Sequence, residues 1–151
     1  MKKHYVKPRL ISEMFHADEY IAACGDGGTV YNFKCDAGLV GQFMGEAYGN
    51  YGDVYQETNN VSGLQTGNNG DKQLAKASTL MGYYVSGYHA CNATHEAENL
   101  SDNTFLQGYY VPDEGTDAGK TIQVIIWRGP NGDNVHCTTN LNINSWETAK
   151  S

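Results

Sequence analysis

The residues able to do chemistry concentrate in two short stretches. One is His89-Ala90-Cys91 with His95-Glu96 close behind; the other is His136-Cys137. Thiolate sulfur and imidazole nitrogen are zinc donors, and Cys and His separated by one and three residues can converge on one ion. The spacing is not that of a paired-cysteine zinc knuckle. Strand alternation narrows the set, because successive side chains in a strand point to opposite faces. His89 and Cys91 then share a face. Cys137 falls with Val135 and Leu141 on an apolar face, which turns His136 away. A mononuclear zinc site drawn on this pattern uses His89, Cys91, His95 and Cys137 and excludes His136.

The same thiols support two other readings. Four cysteines, at 24, 35, 91 and 137, allow three disulfide pairings. Cys91 and Cys137 both occupy inward phases, so a bridge between them, or two inert buried thiols, is the plainer expectation. Cys24 and Cys35 then pair with each other or stay free. A catalytic version makes Cys91 a nucleophile activated by His95 or His89, with Asn92 or Glu96 orienting the base. No recognisable nucleophile turn surrounds Cys91, so no catalytic residue is assigned. The leading functional expectation is an exported or surface-associated binding or structural module. The alternatives are a Cys/His thiol hydrolase or transferase, or a zinc-binding domain.

Strands must position these residues. The central element is a hairpin: Thr121–Trp127 (TIQVIIW), a Gly/Pro/Asn/Asp turn, then Val135–Ile143 (VHCTTNLNI). The first arm is apolar on both faces, which predicts a strand covered on both sides. The second alternates, with Val135, Cys137, Thr139, Leu141 and Ile143 on one face. Further strands are expected over 29–35, 53–57, 85–91 and 105–111. A turn is expected at 49–52 and loops over 58–71 and 113–119. Short helices are expected over 9–23 and 71–81, the second capped by Asp71, and Asn144 or Ser145 would cap a last turn carrying Trp146.

Composition supports a β-rich chain. Leu, Ile, Val and Phe number only 27 of 151, but eleven Tyr and two Trp supply large buried area and suit strands. Eighteen Gly favour tight turns. The fold expected is mostly β: one antiparallel sheet or sandwich-like domain over residues 27–151, with one or two short helices and a peripheral arm over 1–26. The net charge of −7 is uneven, +1 over residues 1–24 and −8 over the rest. An acidic body repels phosphate backbones, so nucleic acid is not an expected partner. No run approaches the ~20 apolar residues of a membrane span. Tyr48, Tyr51, Tyr55, Tyr83, Tyr84, Tyr88, Tyr109 and Tyr110 could line a glycan or peptide groove, or form half-buried sheet surface, which is favoured. The acidic loop Asp113, Glu114, Asp117 lacks the oxygen ladder of an EF-hand and reads as a solvated turn. The glycosylation-type triplets at Asn60, Asn92 and Asn99 read as chance in so Asn-rich a chain.

The N-terminus begins basic but carries no apolar core of a standard signal peptide. Its pattern Lys7-Pro8, Glu13-x-Phe15, Glu19-Tyr20-Ile21-Ala22-Ala23-Cys24 resembles the leader-like opening of small uncharacterised proteins of anaerobic Firmicutes-type bacteria. Residues 89–98 and 135–150 are similar to segments of the same group, so the resemblance covers about a third of the chain. It implies a bacterial source and leaves room for a processed N-terminus. It implies nothing about reaction, ligand or oligomeric state.

Overall fold

The computed structural model describes residues 29–98 and 104–149. The expected arm, its helix over 9–23 and Cys24 lie outside the described residues.

Among the described residues eleven strands form four antiparallel sheets. In chain order they are β1 (Val30–Lys34), β2 (Leu39–Phe43), β3 (Glu46–Gly49), β4 (Gly52–Gln56), β5 (Lys72–Ala75), β6 (Ser78–Leu80), β7 (Tyr83–Ser86), β8 (Thr94–Glu98), β9 (Leu106–Pro112), β10 (Ile122–Trp127) and β11 (His136–Thr138). The main sheet has the order β11-β10-β9-β4-β5, and three two-stranded ribbons pair β1 with β8, β2 with β3, and β6 with β7. The mostly-β expectation holds, with several sheets in place of one.

The hairpin expected over residues 121–143 is β10 paired with β11, Ile126 facing Cys137 and Trp127 facing His136. β10 lies between β11 and β9 and is buried on both faces, as its two-sided apolar pattern predicts. Val124 and Ile126 enter a cluster with Cys35, Ala37, Val54, Tyr88, Ala90, Tyr110 and Cys137. Ile125 and Trp127 enter a second cluster with Tyr31, Phe33, Ala97, Phe105 and Ile143. The β1–β8 ribbon thus covers one face of the main sheet, and residues from 35–39 and 88–90 cover the other. Trp146 folds edge-on against Tyr31, Phe33 and Phe105, as expected of the chain's last aromatic.

Four local expectations are corrected. Residues 71–81 form no helix: Lys72 and Gln73 pair with Gln56 and Tyr55 at the edge of the sheet, and Ser78–Leu80 begins a hairpin. Asp71 does not cap a helix; its buried carboxylate accepts from the backbone N–H groups of Thr58 and Gln65 and ties down the 58–71 loop. The strand expected over 85–91 runs instead over 83–86 and stops at Gly87, whose φ is +121°. The second arm of the central hairpin stops at Thr138. Asn140 and Asn142 each accept the backbone N–H two residues on, at 3.1 Å, and these successive Asx turns lead into a 3-10 turn at Ile143–Ser145 capped by Asn142. Leu141 is therefore exposed, and Ile143 is buried in the opposite cluster from Cys137. Among the described residues that 3-10 turn is the only helical element.

The tyrosines do not line one groove. Tyr88, Tyr109 and Tyr110 are buried, Tyr51 stacks on Tyr84, and Tyr48 and Tyr83 are exposed. Among the described residues no helix is long and apolar enough to cross a membrane.

Candidate functional site: a thiol and imidazole cluster at the sheet edge

β11 is the edge strand of the main sheet, and two irregular segments wrap its end. Residues 35–37 leave β1 and bind along β11, where the Cys137 carbonyl accepts from the N–H groups of Asp36 and Ala37 at 3.0 and 3.1 Å. Residues 88–93 run back towards β8. Cys35 locks the two segments together: its N–H donates to Ala93 O at 3.0 Å and its carbonyl accepts from Asn92 N–H at 2.9 Å. The Lys34 ammonium donates to Asn92 O at 2.7 Å. Buried Tyr88 braces the junction, its hydroxyl donating to Ala37 O at 2.9 Å.

This junction gathers side chains from distant stretches. The Cys91 Sγ lies 3.3 Å from His95 Nε2 and 3.8 Å from His136 Nδ1. The Cys91 N–H points at Cys35 Sγ, 3.5 Å away. Donor atoms of Cys35, Cys91 and His136 all lie within 4.8 Å of one another. The His95 and His136 rings are 4.2 Å apart, and each ring centre is 5.6 Å from that of Trp127. The Trp127 indole N–H beneath them is buried and has no hydrogen-bond partner, a cost normally avoided.

Set against the expected quartet, the structure keeps Cys91 and His95 together and changes the rest. His89 is exposed and its ring packs on Tyr51 at 4.5 Å. Cys137 is fully buried in the same cluster as Cys35 but is not among the three close donors. His136, excluded by alternation, is a member. It does point away from Cys137, but that face is covered too: β8 brings His95 over it. Cys91 is exposed, not inward, because it lies outside any strand between Gly87 at φ +121° and Asn92 at φ +57°. Cys35 takes the place assigned to Cys137. Its burial was legible, but it lies past the end of β1 in the cluster of Cys137 and not in that of Tyr31 and Phe33, and its closeness to Cys91 carried no local signal. Cys35, Cys91 and Cys137 are free thiols, so the Cys91–Cys137 bridge is not formed. The alternative partner for Cys35, Cys24, lies outside the described residues.

Burial governs the electrostatics. It pushes the His95 imidazole below its ordinary value. It pushes His136 down to about 4, helped by repulsion from His95. Both rings are therefore neutral at pH 7, the form that ligates metals. Burial raises the Cys35 thiol, partly offset by hydrogen bonds at its sulfur, the Cys91 N–H first among them, and raises Cys137 well above its ordinary value. Ligation by Cys35 then releases a proton, which makes affinity fall as pH falls.

The groove beside Cys91 and His136 encloses about 450 Å³ and is also lined by Lys76, Ser86, His89, Asp133 and Asn134. Comparison with known protein families, with curated proteins and with solved structures found no match for this chain.

Proposed function

We propose that this protein is a metal-binding module that holds one zinc-class ion through Cys35, Cys91 and His136, with His95 hydrogen-bonded to the Cys91 sulfur. The carrying observation is convergence. Cys91 stands 56 residues from Cys35 and 45 from His136 in the chain, yet the three donor atoms lie within 4.8 Å. Tetrahedral zinc with Zn–S and Zn–N bonds near 2.3 and 2.0 Å separates its donors by roughly 3.3–3.8 Å. Closing the cluster onto an ion shortens its longest separation by only about 1 Å on that geometry. Two sulfurs and one imidazole favour zinc or another soft ion over magnesium or calcium. A His95 N–H donated to the Cys91 thiolate orients that ligand from outside the coordination sphere.

Zinc uptake by the reduced protein tests this. The expected result is one zinc per chain, retained through gel filtration. Cys91→Ser and His136→Asn each lose affinity by more than the ~10–100-fold typical of an outer-shell change, while His89→Ala keeps it. Absence of stoichiometric uptake by the folded, reduced chain would sink the reading.

One observation favours a second reading, the thiol hydrolase or transferase. Cys91 and His95 are within hydrogen-bonding distance, and Cys91 is exposed. Against it, burial makes His95 a weaker base for the thiol proton. Rapid alkylation of Cys91 by iodoacetamide near neutral pH, lost in His95→Ala, would favour this reading over the metal.

A further inference from the structure

We infer that the ion's fourth coordination position is exchangeable and opens into the groove beside Cys91, and that the groove binds a small carboxylate there. The inference rests on the metal reading above.

Three observations carry it. The first is the donor count. Three donors are mutually close, and His95 is not one of them. Its Nε2 lies 3.3 Å from the Cys91 sulfur, and its ring packs against both Trp127 and His136. Three protein ligands with one open position is the arrangement of zinc sites that bind substrate or water, whereas structural sites close with four.

The second observation is the asymmetry of burial. Cys35 is fully buried, and Cys91 and His136 form part of the groove wall. An ion seated among them has Cys35 beneath it and its remaining side towards the groove. The third is the chemistry of the other walls. At about 450 Å³ the groove is of small-molecule size. Lys76 is the one fixed cation among its lining residues. Two thiolates cancel the charge of a divalent ion, so the ammonium of Lys76 is what selects an anion. Asp133, Asn134 and Ser86 supply acceptors for a hydroxyl or amino group on the same molecule. Together these describe a small hydroxy- or amino-carboxylate, with one oxygen or nitrogen on the metal and its carboxylate at Lys76.

Cobalt(II) substitution tests the inference separately from the reading beneath it. The full chain is loaded with cobalt(II), and its thiolate-to-cobalt charge-transfer band is recorded. It is then titrated with glycolate and, as the uncharged control, glycolamide. The expected result is a charge-transfer band whose accompanying ligand-field bands shift saturably with glycolate and not with glycolamide. Lys76→Gln should keep the band and weaken the glycolate response by about tenfold or more. With cobalt(II) in saturating excess His95→Gln should keep the band, because His95 is not a ligand, while cobalt affinity falls by the ~10–100-fold of an outer-shell change. Ligand-field bands unmoved by glycolate, an equal response in Lys76→Gln, or loss of the charge-transfer band in His95→Gln each overturns the open position or its ligand and leaves a closed metal site. Absence of any thiolate-to-cobalt band overturns the metal reading itself.

Discussion

Along β10, Val124 and Ile126 enter one buried cluster and Ile125 and Trp127 enter the other. Over residues 88–91 burial also alternates, Tyr88 and Ala90 buried and His89 and Cys91 exposed, but outside any strand, and Asn92 ends the run with a positive φ. The two regions are oriented by different forces. In β10 a ladder on each side, to β9 and to β11, holds the pleat and alternates the side chains. In 88–93 the backbone is held by isolated bonds, a bridge of Tyr88 to Gly52 and single bonds to Cys35 and the Lys34 ammonium. Stability resides in the first region and the reactive groups in the second. A change at the rim should therefore alter binding with little effect on folding, and a change in the ladder should do the reverse.

The largest effect is expected from Gly108, in the middle of β9. A Cβ there would meet the Tyr55 carbonyl oxygen and the Ile126 Cδ1. Backbone of β4 cannot give way without breaking the β4–β9 ladder. Gly108→Ala should cost about 3 kcal/mol, at the upper end for overpacking. Urea unfolding followed by circular dichroism measures it. A variant as stable as the wild type would mean that the ladder is looser than the packing implies.

Acid should have the next largest effect, and it reaches the rim through His136. An unfolded histidine titrates near pH 6.5, whereas burial and the neighbouring His95 push His136 down to about 4. Between those values the unfolded chain binds the extra proton more readily, so stability falls as pH drops. The contribution is complete above about pH 6.5 and is lost progressively towards about pH 4. In chelator-treated protein, His136→Asn should flatten the part of the urea-midpoint profile lying in that window. An identical slope in the variant would mean that His136 is solvated and does not share a buried face with His95 and Trp127.

The same contrast explains what could be read from the residues alone. β10 was legible because its apolar side chains occupy both faces. β1 was legible because Tyr31 and Phe33 alternate with polar residues and both enter one core cluster. The faces of Cys137 and His136 were opposite, as alternation requires. Hidden in the sequence was that the second face of β11 is covered by another ribbon. That is a matter of the long-range pairing of β1 with β8, Phe33 opposite His95, and no local pattern encodes it. Cys91 was hidden for another reason: alternation puts it on one face with His89, as the structure does, but does not say which face is buried, and it is Tyr88 and Ala90 that enter the core cluster. The site was thus readable in residue types at Cys91 and His95, and unreadable in membership at Cys35 and His136.

The smallest folding effect is expected from Cys91 itself, and it is the most direct test of the contrast. The side chain is exposed, and its sulfur meets only His95 and His136 among the contacts of the cluster. Serine keeps a small polar group at the same place. In metal-free protein Cys91→Ser should therefore shift stability by no more than about 0.5 kcal/mol, the range of surface substitutions. Zinc should separate the two proteins. A bound ion stabilises the folded state by RT ln(1 + [L]/Kd), about 2.7 kcal/mol at a hundredfold excess over Kd. The wild type should gain this in thermal unfolding with added zinc, and Cys91→Ser should gain little. Equal destabilisation with and without zinc would make Cys91 a packing residue and erase the distinction between ladder and rim.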